Sequence, residues 1–257
     1  MNRCTIPGRS RRDFLRAGVS LAGMSLLGAN AARAQSNKAA GTAQAPRESE
    51  EQLIESGPKE PEPSVGPTED LMREHGVVTR MLLIYEEVAR RLEAGARDLS
   101  PDPLKQTAGL VRSFVEDYHE KLEERYLFPR FRGALLLVEL VDTLQTQHDA
   151  GRRVTDTVLH LATQAAFKDE GERRKLTEAL RQFIRMYLPH ASREDTVLFP
   201  AFHKLMSPDE YRLLGDQFED REHELFGSSG FFGVVDRVAG IEKLLGIYDL
   251  AQFTPKP

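Results

Sequence analysis

Two stretches of this chain carry the same pattern of groups able to bind a metal ion. Residues 119–131 and 190–202 align without a gap and both read H-x-x-x-E-x-x-x-L-F-P-x-F. Six identical positions recurring 71 residues apart mark an internal repeat. A histidine and a glutamate four residues apart lie on one helix face, one turn from each other. His119 with Glu123, and His190 with Glu194, can therefore ligate the same ion, or each glutamate can bridge two. Each copy also has a lone histidine upstream: His75 lies 44 residues before the first and His148 lies 42 before the second.

These six side chains can meet only if four helices bring them to one height. In antiparallel neighbours, residues at equal height are equidistant from the turn between them. The midpoint of His75 and His119 is residue 97, between Gly95 and Pro103. The midpoint of His148 and His190 is residue 169, inside Lys168-Asp169-Glu170-Gly171, and that of His119 and His148 falls at 133–134, beside Gly133. All three land where the sequence breaks for other reasons, so one layer of four imidazoles and two carboxylates is reachable. Imidazole and carboxylate without sulfur suit Fe, Mn or Zn. Six side chains leave two six-coordinate ions with open positions for small ligands.

The elements that would position this layer are legible from apolar periodicity and breakers. Helices are expected at about 69–94, 104–128, 134–167, 172–203, 207–226 and 234–246. Thr68 is expected to cap the first, Pro129 to end the second, and Pro189 to kink the fourth. No strand alternation is present. The expected fold is all-α: an antiparallel up-down four-helix bundle over 68–205, with a C-terminal helical extension over 206–257.

Other polar residues compete for a role. Glu124 and Asp195, each five residues after a motif histidine, rival Glu123 and Glu194, but the matched repeat favours the latter pair. Glu120 adjoins His119 and is a further candidate. Glu222 and His223 would supply or shield a ligand, against the plainer reading of Glu219–Glu224 as a solvated charge run. Tyr118, Tyr126 and Tyr187 read as hydrogen-bonding supports or core, and Leu127, Phe128, Leu198 and Phe199 as packing. His160 and His203 read as surface or hydrogen-bonded histidines. A ferritin-like oxidase would need two E-x-x-H motifs; Glu116 and His119 make one, but Tyr187 stands before His190.

The 257 residues are 40% hydrophobic and 29% charged, as in ordinary globular proteins, with no tryptophan. Ser10-Arg11-Arg12-Asp13-Phe14-Leu15 resembles the twin-arginine export signal, and an apolar run and Ala32-Arg33-Ala34 follow it. Residues 1–34 are therefore expected to be a cleaved targeting segment, and the mature chain to be periplasmic or otherwise exported. Residues 35–67, with five prolines and no periodicity, read as a tether. The single cysteine, Cys4, would leave with the signal, which excludes disulfides and thiolate–metal chemistry. Six arginines and one aspartate leave too, taking the formal net charge from −5 to −10. Such acidity argues against nucleic-acid partners. The apolar run is too short for a convincing membrane span.

The four helices, the two H-x-x-x-E motifs with their trailing L-F-P, and the two lone histidines resemble the hemerythrin-like (HHE cation-binding) family over roughly 68–205. The resemblance implies two non-haem iron ions in the bundle core, oxo- and carboxylate-bridged, with Glu123 and Glu194 as the bridging carboxylates. It implies O2, NO or peroxide as the small ligand, and a redox partner if the centre turns over. The oxygen carriers of the family have H-x-x-x-H in the third helix, whereas here Arg152 follows His148 at that spacing. The remaining pattern is similar to members linked to iron–sulfur cluster repair and nitrosative stress. Two functions are thus expected to compete: a protein that binds or senses O2 or NO or handles iron, and a di-iron enzyme acting on peroxide or NO.

Overall fold

The computed structural model describes residues 65–96 and 98–255, all within one unit, Ser49–Pro257. The expected targeting segment, and the expected tether up to residue 64, lie outside the described residues. Among the described residues there is no strand. Helix α1 spans Pro67–Glu93. Helix α2 covers 102–133, α3 spans Val138–Leu161, and a short α4 spans Gln164–Lys168. Helix α5 covers 170–202, α6 spans Pro208–Phe226 and α7 spans Gly230–Leu245. None of the described helices is long and apolar enough to cross a membrane.

Four of these helices surround the candidate layer. Helix α1 packs on α5 and α2, and α3 packs on the same two. Their inward stripes are aliphatic and aromatic: Met81, Ile84, Tyr85, Phe114, Val158, Leu180 and Phe183 are at most 1% exposed. Helix α7 lies on α1 and the start of α2, and α6 packs on α1 and α7. Arg80 of α1 holds Glu242 of α7 through two hydrogen bonds. Phe226 at the end of α6 meets Phe114 and Tyr118 edge-on.

The three expected breaks fall between helices: 94–101 after α1, 134–137 after α2, and Asp169 ahead of α5. Asp169 caps α5 by accepting from the Glu172 N–H at 2.8 Å. The bounds differ from expectation in specific ways. Helix α1 starts at Pro67, whose missing N–H is harmless in a first turn. Thr68 is therefore inside the helix rather than its cap, and its hydroxyl meets Tyr211 and His203 instead. Helix α3 starts only at Val138, because Leu135 and Leu137 take left-handed backbone conformations. It also ends at Leu161, before Thr163 caps α4.

Pro129 does not end α2. The helix passes through it to Gly133, and α5 likewise passes through Pro200. A widened turn precedes each proline: Phe128 N–H bonds to Glu123 O, and Phe199 N–H to Glu194 O, five residues back. These π turns, Glu123–Leu127 and Glu194–Leu198, loosen the ladder where proline would remove a donor. A longer π stretch, Val111–His119, leads into the first motif only. Helix α5 also continues past Pro189 to Arg193 without leaving α geometry.

Candidate metal centre

The six motif residues arrive from four helices at one place. His75 comes from α1, His119 and Glu123 from α2, His148 from α3, and His190 and Glu194 from α5. All six are at most 3% exposed. Ligand atoms of Glu123, His148, His190 and Glu194 lie within 4.8 Å of one another, and so do those of His75, His119 and Glu123. The carboxylates span the two groups. Glu123 Oε1 is 3.8 Å from His119 Nε2, and its Oε2 is 3.3 Å from His148 Nε2. Glu194 Oε2 is 3.4 Å from His75 Nε2 and 3.3 Å from His190 Nε2. The arrangement has an approximate two-fold: two histidine pairs, with two glutamates between them.

The outer ring nitrogens explain why the inner ones converge. Each Nδ1 faces an acceptor: His75 meets Asp195 Oδ1 at 2.7 Å, His119 meets Glu74 Oε2 at 2.6 Å, His148 meets Glu124 Oε1 at 3.1 Å, and His190 meets Gln147 Oε1 at 2.9 Å. A proton on each Nδ1 satisfies all four contacts and leaves every Nε2 with a lone pair turned inward. Nε2 of His75 and His119, and all four carboxylate oxygens of Glu123 and Glu194, then have no hydrogen-bond partner. His148 Nε2 and His190 Nε2 face each other at 3.2 Å. Two imidazoles bound at right angles to one ion, with bonds of about 2.1 Å, would stand roughly 3 Å apart. A buried cluster of unpartnered acceptors is costly in an apolar core, and a bound cation would satisfy it. The residues present therefore fit a metal.

The electrostatics point the same way. Burial drives His119 well below its ordinary pKa, and the three neighbouring imidazoles push in the same direction. Burial, with His148 and His75, brings His190 down to about 4 against the pull of Glu194. Burial also works to lower His75, but Asp195 and Glu194 outweigh it and raise the ring to about 10. His148 rises to about 10 because Glu120, Glu123 and Glu124 overcome its burial. Burial and the charge of Glu194 push Glu123 upward. Burial would raise Glu194 too, but His190 and His75 hold it low. A bound cation would compete with these protons for the same nitrogen and oxygen atoms.

Several expectations are refined. Glu124 and Asp195 do not enter the layer; each accepts from the lone histidine of the other half. Glu120 is buried, but its Oε2 accepts from Arg152 at 2.7 Å, and its ligand atom groups with Glu124 and His148. Arg152 also reaches Glu124 at 2.6 Å, so a guanidinium locked in ion pairs stands one turn from His148. Phe128 and Phe199 are core, and they also stack on His148 and His75 at 5.5 and 5.6 Å. Tyr118 and Tyr187 are buried, whereas Tyr126 is half-buried against Phe218. His160 is exposed, and His203 is exposed and hydrogen-bonded to Tyr211. Glu222 is only 8% exposed, which overturns its reading as part of a solvated run.

Sequence reasoning missed Glu74 and Gln147. The signal was present: Glu74 and Gln147 occupy matching places, each just before a lone histidine, and each accepts from the motif histidine of its own half.

A cleft of about 270 Å³ between α1 and α5 reaches His75 and Tyr187 and is walled by Val78, Leu82, Leu188 and Ala191.

Residues 66–202 match the family described as Hemerythrin HHE cation binding domain, with a second match over 139–226. Among curated proteins, an uncharacterized protein of Mycobacterium tuberculosis is 51% identical over 199 residues, 77% of each chain. An uncharacterized protein of Mycobacterium bovis matches to the same extent. No solved structure matches significantly.

Proposed function

Because the chain belongs to the hemerythrin HHE cation-binding family, we propose that His75, His119, Glu123, His148, His190 and Glu194 hold two iron ions in an antiparallel up-down four-helix bundle over 68–205. One observation carries the reading: these six buried side chains converge from four helices, and His75, His119, Glu123 and Glu194 turn unpartnered acceptor atoms inward. Glu123 and Glu194, lying between the two histidine pairs, would be shared between the two ions. When bound, the iron pair supplies redox-active positions for a small ligand such as O2 or NO.

The chain's own residues set the terms of that chemistry. The Nδ1 acceptors fix ring orientation and tautomer. Arg152, paired with Glu120 and Glu124, offers no nitrogen lone pair and would not serve as a ligand beside His148. The cleft at His75, lined by Val78, Leu82, Leu188 and Ala191 with Thr79, Ser192 and Asp195, gives a small molecule a way toward the centre. We therefore propose ligand binding or sensing, with O2 or NO as the ligand, in the cell envelope reached through the segment at 1–34. Reduction of peroxide or NO at the same centre is the competing reading. The buried Tyr187 hydroxyl and Glu120 Oε1, both without partners, favour it to the extent that they can hold protons near the centre.

Loading the full chain with iron anaerobically and recording its absorption before air, after air and after removal of O2 separates the two. Ligand binding requires the first spectrum to return. Irreversible bleaching with peroxide or NO consumed would establish the enzyme instead.

A further inference from the structure

Outside the six-residue centre, three carboxylates from two helices gather at a second place. Asp70 and Glu74 of α1 and Glu222 of α6 each bring one oxygen within 4.8 Å of the others. Asp70 and Glu222 line a cavity of about 290 Å³ together with Arg73, Glu219 and His223. Glu74 is 0% exposed; its Oε2 meets His119 Nδ1, while its Oε1 has no partner. The Tyr118 side chain, 1% exposed, bonds with Glu74 and faces the charges of Glu222 and Asp70. Arg73 Nη1 stands 3.8 Å from Asp70, and its guanidinium lies over the Phe231 ring.

The surrounding backbone is shaped to hold one of these carboxylates. Glu222 Oε1 accepts from the Phe231 N–H at 2.8 Å. A Cβ at Gly230 would stand 2.1 Å from that oxygen, and φ there is +43°. The α6–α7 loop is thus folded around the Glu222 carboxylate, which needs a residue without a side chain at Gly230. Three fixed carboxylate oxygens with a neighbouring hydroxyl and room for water make a hard, oxygen-only ligand set.

We propose that Asp70, Glu74 and Glu222 form a separate site for a divalent cation, from which ions pass out of the cavity to the His75–His119 half of the centre by way of the Glu74 carboxylate. The transfer step rests on the di-iron reading; the site itself does not. The set lacks imidazole, so it would hold ions more weakly than the centre, as a point of transit requires.

The test uses Mn2+ alone, with free Mn2+ followed by electron paramagnetic resonance in the full chain. Wild type is expected to bind three ions per chain. Asp70→Asn/Glu222→Gln, whose new amide oxygen can still accept from the Phe231 N–H, is expected to bind two. Its Fe2+ loading is expected to slow at least about fivefold while final iron content is unchanged. Asp70→Asn alone, placed at the cavity wall, is expected to weaken the third ion at least about tenfold, should the double variant fail to fold. Equal ion numbers in wild type and variants would overturn the site, and unchanged loading rates would overturn the transfer. If His190→Ala/Glu194→Ala bound as many ions as wild type, the centre's reading would fail while the third ion could still be scored.

Discussion

The outer nitrogen of His119 meets a carboxylate, whereas that of His190 meets an amide. The two halves of the centre therefore differ although the repeat makes their inner ligands alike. His75 leans on the Asp195 carboxylate, while burial and the charges of Asp70 and Glu222 push the Glu74 carboxyl behind His119 upward. In the other half the one anion, Glu124, is already paired with Lys121 and Arg152. An acceptor with undivided negative charge makes the imidazole a better donor. The His75–His119 position should accordingly bind the first ion. Asp195→Asn, which touches only the His75 ring, should weaken the tighter of the two central affinities by about tenfold in a calorimetric titration. Gln147→Glu should strengthen the weaker one, and opposite signs would show that the asymmetry lies elsewhere.

At the level of elements, the π turns after Glu123 and Glu194 allow a helix to carry a ligand, a widened turn and a proline within seven residues. The same register shift places Phe128 and Phe199 on the lone histidines across the bundle. The α6–α7 loop makes a different demand. Gly230→Ala should destabilise the protein by about 1–2 kcal/mol in urea unfolding, because alanine resists that φ and crowds Glu222. A neutral result would mean the loop adapts freely. Approximate helix spans and the three breaks between the long helices were legible, since apolar spacing and Gly, Pro and Asp breakers encode them locally, but the expected helix at 134–167 is two, α3 and α4. What was not legible depended on partners far along the chain. Proline reads as a stop until a π turn is known to precede it, and Leu135 and Leu137 carry no local sign of left-handed backbone. Among the candidate ligands the repeat picked four and the midpoint argument added His75 and His148, but the acceptors behind them sit on other helices, as Glu74 does for His119.

For the whole molecule, the centre joins four helices that otherwise meet through aliphatic packing. Metal bound only to the folded state adds stability by mass action, about 4 kcal/mol when free metal is a thousandfold above its dissociation constant. Chelating the iron should lower the melting temperature, and re-adding Fe2+ should restore it; an unchanged transition would mean the centre is not loaded in the folded chain. The segment at 1–34 makes a separate claim about place. Arg11→Lys/Arg12→Lys should leave the protein in the cytoplasmic fraction, and normal export of that variant would dismiss the twin-arginine route. The central claim is one bridged iron pair on six side chains, and Mössbauer spectroscopy of the full chain loaded with 57Fe tests it most directly. The account predicts two irons per chain, magnetically coupled after oxidation, and loss of that coupled signal in Glu123→Ala and Glu194→Ala. A single uncoupled iron, or a coupled pair that survives in both variants, would contradict it.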